Sequence, residues 1–316
     1  MNIGIDLGGT NIAAAIVDGD GTILERTSIR ANAGGGAGAI ISGLLEVCRI
    51  LLSGVEEAPV AIGIGVPGIV NDRTGEVVFT PNLPLREIKV TDELQEKYKC
   101  PIRLGNDANC AALGETVAGG AKGAKDVVLI TLGTGVGGGV ILGGRLSTGI
   151  SGGAGELGHH VIFGGGRKCG CGRQGCWESY ASASGLIRTA IEFMGTYTDS
   201  LLWELSGGLA EKVNGAAVFD AYRAGDQAAR LTVENYVQHL GTGIVNIINM
   251  LEPEMICVGG GISNSWDCLA GPIQEFVDAE QYFRFSPKAP KVKIVRAVLG
   301  NDAGIIGAAL LGRDYL

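Results

Sequence analysis

Two stretches of this chain share one pattern, and that pattern limits the folds open to it. Residues 2–18 read NIGIDLGGTNIAAAIVD and residues 126–142 read DVVLITLGTGVGGGVIL. Each is an apolar strand, a turn rich in glycine and threonine, and a second apolar strand. Such a pair, about 125 residues apart, suggests two structurally related lobes, although a similarity this weak can also arise by chance. Between and beyond the two stretches, helices alternate with strands. Residues 36–53 carry Ile40, Ile41, Leu44, Leu45, Cys48, Leu51 and Leu52 at helical spacing. Residues 60–66 are a continuous apolar run of the central-sheet type, stopped by Pro67-Gly68. A helix is predicted over 107–117, capped by Asn106 or Asp107 and ended by Gly119-Gly120. Further on come a long helix over 227–250, strands over 255–258 and 291–298, and a small-residue helix over 303–311 capped by Asn301 or Asp302. Residues 33–38, AGGGAG, read as a flexible loop without chemistry. The class is α/β with mixed sheets.

At 316 residues the chain is long enough for two ordinary domains. Hydrophobic residues at 46% and charged residues at 18% fit a globular enzyme. Its 54 glycines are more than twice the usual share of roughly 7%. With no collagen period, they must serve turns, helix packing and close approach of backbone to ligands. A net charge of −8 speaks against a nucleic-acid surface, which needs a basic face. The start MNIGIDLGG has no basic region followed by an apolar run, so no signal peptide is expected. No apolar stretch reaches the ~18 residues of a membrane span, so no span is expected either. Cys48, Cys100, Cys110, Cys257 and Cys268 are scattered through apolar surroundings and read as small core residues in a reducing cytoplasm.

Chemistry concentrates in residues 155–178, GELGHHVIFGGGRKCGCGRQGCWE. Cys169, Cys171, Cys176 and His159 make a four-ligand set suited to tetrahedral zinc. Glycines let the backbone of this knuckle fold back around an ion. A disulfide pair in a surface loop is the competing reading, but cysteines separated by one residue bridge poorly. Glu156 and Glu178 flank the ligands. A purely structural zinc knob has no need of carboxylates at both mouths, whereas a sugar-binding pocket does. Elsewhere, DLGGTN at 6–11 sets a carboxylate at a strand end before a glycine turn and a hydroxyl. The amides of such a turn can cradle phosphate, and Asp6 can hold Mg²⁺ through water. An ordinary hairpin is the bland alternative. LGTGVGGG at 132–139 repeats the chemistry, with Thr134 as its hydroxyl. Two such turns facing each other would grip a polyphosphate. Neither leads into a helix, which excludes a Rossmann or P-loop reading. GNDAN at 105–109 places an Asn-Asp pair where a strand meets a helix N-terminus. Asp107 reads there as a helix cap or as an ionised general base. VGGGIS at 258–263 is a glycine turn against which an adenine ring could lie flat, or a glycine turn and nothing more.

In this order, DLGGTN, GNDAN, LGTGVGGG, GELGH, CGCGRQGCWE and VGGGIS resemble the ROK family (repressors, open reading frames, sugar kinases) of the hexokinase–actin superfamily. The motif set is most similar to that of bacterial ROK glucokinases. The resemblance spans essentially the whole chain. It implies two ribonuclease-H-like lobes of the actin/hexokinase type, with ATP and sugar bound in the cleft between them. Residues 1–117 plus 302–316 would form the smaller lobe, the final helix returning to pack on it. Residues 118–301 would form the larger lobe, with its knuckle at 159–176.

Residue by residue, the resemblance makes Asp107 the base that activates the sugar 6-hydroxyl. Asn106, Glu156, His159 and Glu178 would bind the other hydroxyls, and Gly68 and Asn82 would line the sugar site. Asp6, Gly8, Gly9, Thr10 and Asn11, with Gly133, Thr134 and Gly135, would hold the phosphates of ATP and its Mg²⁺. Gly259, Gly260 and Gly261 would face the adenine. His159 would bind a structural Zn²⁺ together with Cys169, Cys171 and Cys176, presenting its other nitrogen to the sugar. His160 is left as a packing or surface residue.

The implied activity is ATP-dependent phosphorylation of a hexose, glucose first. N-acetylmannosamine, N-acetylglucosamine, mannose, allose and fructose kinases share these motifs. They differ in loop shape around the sugar 2-position. ROK repressors carry a helix-turn-helix ahead of the first phosphate turn, for which a strand starting at Asn2 is expected to leave no room. An actin-like or chaperone-type ATPase would lack the GELGH and knuckle residues. A cytoplasmic homodimer or homotetramer is expected, with no nucleic-acid or membrane partner.

Overall fold

The computed structural model describes residues 1–286, 288 and 291–311. In chain order, β1 (Asn2–Leu7), β2 (Asn11–Val17) and β3 (Ile23–Arg30) precede α1 (Gly36–Leu51) and β4 (Ala61–Val66). Then come β5 (Ile69–Asn71), β6 (Glu76–Phe79), β7 (Arg86–Lys89), α2 (Asp92–Lys97), β8 (Ile102–Asn106) and α3 (Asp107–Ala118). The second half holds β9 (Val127–Leu132), β10 (Val136–Leu142), β11 (Arg145–Leu146), α4 (Glu178–Ala181), α5 (Ala183–Met194), α6 (Leu201–Leu205) and α7 (Gly215–Arg223). It closes with α8 (Gln227–Leu251), β12 (Met255–Gly259), α9 (Trp266–Glu280), β13 (Lys293–Arg296) and α10 (Asp302–Leu310).

Both glycine turns join antiparallel strands, and both found a five-stranded sheet. The first sheet has the order β3-β2-β1-β4-β8 and the second β11-β10-β9-β12-β13. In each, three successive strands meander and two later strands are added beyond the first of the three. β4 lies parallel to β1 and β8 parallel to β4, and β13 lies parallel to β12. The same mixed topology twice is the ribonuclease-H-like pattern expected from the paired sequence stretches. A third sheet, β5-β6-β7, had no forecast in the sequence.

The chain divides into two compact units. One comprises Met1–Leu129, Gly138–Gly155 and a segment beginning at Ala297; the other comprises Ile130–Gly137 and Glu156–Arg296. Residues 118–129, 138–155 and 297–301, read from the sequence as part of the larger lobe, thus group with the first unit. Of the segment 302–316, residues 312–316 lie outside those described.

Within the first unit, all six residues of β4 are buried, as their unbroken apolar run predicts. The buried stripe of α1 (Ile40, Ile41, Leu44, Val47, Cys48, Leu51) packs into the same core. This helix corrects the loop reading of 33–38 and the apolar-run count from which no span was expected. The glycines of 33–38 are not a loop throughout, because α1 begins at Gly36 after a single 3-10 turn. Ala33–Leu51 is moreover long and apolar enough to cross a membrane by length and composition, at 19 residues and a mean hydropathy of 1.4. Counting apolar runs missed it because Glu46 and Arg49, an exposed ion pair, interrupt the run.

Backbone contact dominates around α10. A Cβ on Gly4 or Gly63 would overlap the carbonyl oxygen of Ile305 or Ala308, and one on Gly114 or Gly307 that of Ala303 or Cys110. The helix therefore lies directly on β1, β4 and α3 with no side chain between. Glu115, 1% exposed, fastens the far end of α3 by accepting from Gly120, Val298 and Leu299 N–H at 2.7, 3.1 and 2.8 Å. At the start of α10, Asn301 makes no side-chain capping bond and Asp302 pairs with Arg26 instead, at 3.0 Å. Replacing Gly63 by Ala should cost at least about 2 kcal/mol of unfolding free energy, since backbone cannot step aside as a side chain can. Gly38→Ala, with open space around it, should be neutral or stabilising. Denaturant unfolding of the two variants decides, and equal stability would mean that α10 is not seated as described.

Candidate functional site

In the first unit the fold gathers Asp6, the first glycine turn, Asn82, Gly68, Asn106 and Asp107. The turn closes through Gly8 N–H to Asn11 O at 2.9 Å, leaving Gly9 and Thr10 exposed at its tip. Asn82 stands beside this turn, 3.8 Å from where a Cβ of Gly9 would lie. Gly68 has φ +105°, and a Cβ there would overlap the Phe79 carbonyl, so only glycine fits. Its carbonyl accepts from Asn106 Nδ2 at 2.9 Å.

Asn106, not Asp107, is the cap of α3: its Oδ1 accepts from Ala108 and Asn109 N–H at 2.9 and 3.1 Å. With one amide hydrogen committed to Gly68, the other is left for a ligand. Asp107 is the first helical residue, where the helix dipole favours negative charge. It is close enough to Asp6 to matter electrostatically. Burial first, and the Asp107 charge second, push the Asp6 carboxyl up from its usual 3.8 to about 6. The same two carboxylates, after burial, help push the Cys110 thiol well above its ordinary range.

In the second unit, Gly133 N–H donates to Gly135 O at 3.0 Å, closing the second glycine turn. Its carbonyls are held by the start of α5: Ala183 N–H reaches Gly133 O at 2.8 Å and Ser184 Oγ reaches Thr134 O at 3.1 Å. Gly260, φ +83°, lies against the backbone of Leu132, so 259–261 and the second turn are neighbours. Glu178 also belongs to this neighbourhood. Its Oε2 accepts from Val136 N–H at 3.0 Å, and its Oε1 lies 3.6 Å from Cys169 Sγ. Glu156 is exposed and precedes the 3-10 turn Leu157–His159.

The ligand atoms of His159, Cys169, Cys171 and Cys176 all lie within 4.8 Å of one another. Cys169 Sγ and His159 Nδ1 are 3.6 Å apart, and Cys171 Sγ and Cys176 Sγ are 3.7 Å apart. Tetrahedral bonds of zinc length would set S···N and S···S edges of about 3.6 and 3.8 Å. The donor set therefore fits a zinc-sized ion, and all eight cysteines are free, so the disulfide reading falls. His160 stands apart from the set. Its Nδ1 is 2.6 Å from Leu157 O and its ring packs 5.1 Å from Trp177.

Three participants had no forecast in the sequence. Ser184 and Arg167 carry no motif of their own. Asn109, 2% exposed, has an Oδ1 that lacks a partner although it belongs to the GNDAN run.

Residues 2–314 match the ROK family. A glucokinase from Halalkalibacterium halodurans is 39% identical over 316 residues, covering 98% of this chain and 94% of its own. A xylose repressor from Bacillus subtilis is 30% identical over 319 residues, covering 99% of this chain but 77% of the repressor. Among solved structures, a ROK family glucokinase from Streptomyces griseus in complex with glucose and AMPPNP is 34% identical, with a TM-score of 0.77 and 98% of each chain covered.

The Asp6–Asp107 pairing sets a pH dependence. A carboxyl raised by folding stabilises the fold below its unfolded value near pH 4, and that contribution is lost as pH rises through about 6. In metal-free protein Asp6→Asn should therefore be more stable than wild type at pH 7.5, by about 2–3 kcal/mol, with the gap closing toward pH 4. Urea unfolding in chelator at both pH values measures this, and a pH-independent gap would sink it.

Proposed function

The chain belongs to the ROK family, and on that premise we propose that it acts as a glucokinase, moving the terminal phosphoryl group of ATP to the 6-hydroxyl of glucose. The observation that carries this reading is near-full-length identity of 39% to a glucokinase and 34% to a ROK family glucokinase solved with glucose and AMPPNP. The xylose repressor match favours a sugar-responsive regulator as second reading, but at lower identity and with less of that protein covered.

Asp107 is the base. It stands at the N-terminus of α3 with Asp6 close by, and takes the proton of the 6-hydroxyl as the phosphoryl group arrives. Asn106 and Gly68, hydrogen-bonded to each other, hold sugar hydroxyls with Asn82, Glu156, His159 and Glu178. The turns at Gly8–Asn11 and Gly133–Gly135 offer amides to the phosphates, and 259–261 give the adenine a surface without Cβ atoms. Asp6 would hold Mg²⁺, and the ion would offset charge on the transferring group. Structural zinc, when bound by His159, Cys169, Cys171 and Cys176, fixes the direction of the imidazole. Eight free cysteines suit a reducing cytoplasm. A homodimer or homotetramer is the expected assembly.

An assay of ADP release over hexoses and N-acetylhexosamines tests the substrate. Glucose should give the highest kcat/KM, with mannose and glucosamine weaker. An N-acetylhexosamine turned over better by about tenfold or more would overturn glucose and leave the kinase standing.

Asp107→Asn should lower kcat by ~10²–10⁴ while sugar and ATP still bind within a few-fold of wild type. Because Asn106 carries the cap, the substitution should leave α3 intact. A variant keeping more than about a tenth of wild-type kcat would show that Asp107 only binds.

A further inference from the structure

One guanidinium links the knuckle to the helix that bears Glu178. Arg167 lies two residues before Cys169, and its side chain is 12% exposed. Nη1 donates to Ser179 O and Gly185 O at 3.3 and 3.4 Å. Nη2 donates to Thr189 Oγ1 at 3.0 Å and to Glu192 Oε2 at 2.7 Å. The guanidinium also stacks 4.9 Å from the Tyr180 ring centre, and the Tyr180 hydroxyl accepts from Arg167 N–H at 2.7 Å.

These partners matter because α4, Glu178–Ala181, is four residues long. So short a helix cannot hold its own conformation, and its direction is set by what grips it. On one side α8 grips it, through Tyr236 Oη to Ala181 O at 2.6 Å and Trp177 Nε1 to His239 O at 2.9 Å. Arg167 grips it through Ser179 and Tyr180, the two residues that follow Glu178. Only a planar fork of five N–H groups spans carbonyls on α4 and α5 together with Thr189 and Glu192. The ion pair is the least of these contacts, since the Glu192 side chain is 53% exposed.

We propose that Arg167 is a positioning residue for sugar recognition: by clamping α4 it aims the Glu178 carboxylate, a task distinct from holding the metal. The inference rests on the reading of Glu178 as a sugar ligand. The second glycine turn keeps its own bonds to Ala183 and Ser184, so nucleotide binding should not follow.

The test compares wild type, Arg167→Met, Arg167→Lys and Glu192→Gln as full-length, zinc-supplied protein. Glucose affinity is read by calorimetry without nucleotide, alongside KM for glucose and ATP, zinc content and melting temperature. Arg167→Met should weaken glucose binding and raise its KM by about tenfold or more, with KM for ATP within about twofold and zinc unchanged. Arg167→Lys, which keeps stem and charge and carries the test if the Met variant does not fold, should shift in the same direction by less. Glu192→Gln should stay near wild type. Sugar affinity within about twofold of wild type in the folded Arg167 variants overturns the proposal. So does a parallel loss of zinc, sugar and ATP binding, which would mark Arg167 as scaffold alone. If wild type binds another sugar in place of glucose, the glucokinase reading fails and the variants are judged on that sugar. If it binds none, both fail.

Discussion

Backbone-to-backbone packing of α10 is the contact on which the first unit depends. Four glycines, Gly4, Gly63, Gly114 and Gly307, let the helix settle onto β1, β4 and α3 without intervening side chains. That closeness fixes β1, which carries Asp6 near its end and leads into the first glycine turn, relative to α3, which begins at Asp107. Gly304 of α10 lies against Asp6 itself: a Cβ there would be 3.5 Å from the carboxyl carbon. Glu115 ties the other end of α3 to the segment that leads into α10. Two carboxylates borne by different elements thus keep a defined separation because four elements share one glycine seam.

The second unit solves its positioning problem by other means. Residues 156–178 contain no regular element beyond a 3-10 turn before α4 starts. Apart from Cys169, Cys176 and Trp177 few of its side chains are buried, and its shape comes from cross-links: the His159, Cys169, Cys171, Cys176 cluster, the Arg167 fork and the Tyr180 hydroxyl. An ion bound there would add its ligand energy to the folding energy of the knuckle. Glu178 sits where these cross-links meet the second glycine turn, touching Cys169 on one side and Val136 on the other.

Local features were the legible ones. The glycine turns, β4 (one residue shorter than its apolar run, since Val60 is exposed) and the limits of α3 and α8 depend on residues near one another in sequence, and each stands where its pattern pointed. What escaped depends on distant partners. Gly36 and Gly38 read as loop because glycine disfavours helix, yet the apolar stripe from Ile40 onward outweighs them through burial against the sheet. Of the two cap candidates, Asn301 takes the cap position without a side-chain bond, and Asp302 is claimed by Arg26, on β3. The strand forecast over 291–298 shortens to β13, Lys293–Arg296, because only that part pairs with β12 and because Glu115 captures Val298. Arg167 had no signal at all, since its acceptors are main-chain carbonyls that any residue could supply. In the site, residue types showed in the sequence and the grips that aim them did not.

The electrostatics of Asp6 and Asp107 follow from that geometry. Two carboxylates held close in a partly buried place cannot both be charged cheaply, so one of them must yield its charge or find a cation. The helix dipole of α3 supports the charge on Asp107. Asp6 lies at a strand end, with the greater part of its surface withdrawn from water, and it is the group pushed up to about 6. Asp6 is therefore the member of the pair that takes up a proton as pH falls through about 6. A cation held beside Asp6 would favour its ionised form and lower the pH at which it takes up a proton. Burial that costs the charged carboxylate in metal-free protein would thereby become a preference for a bound cation.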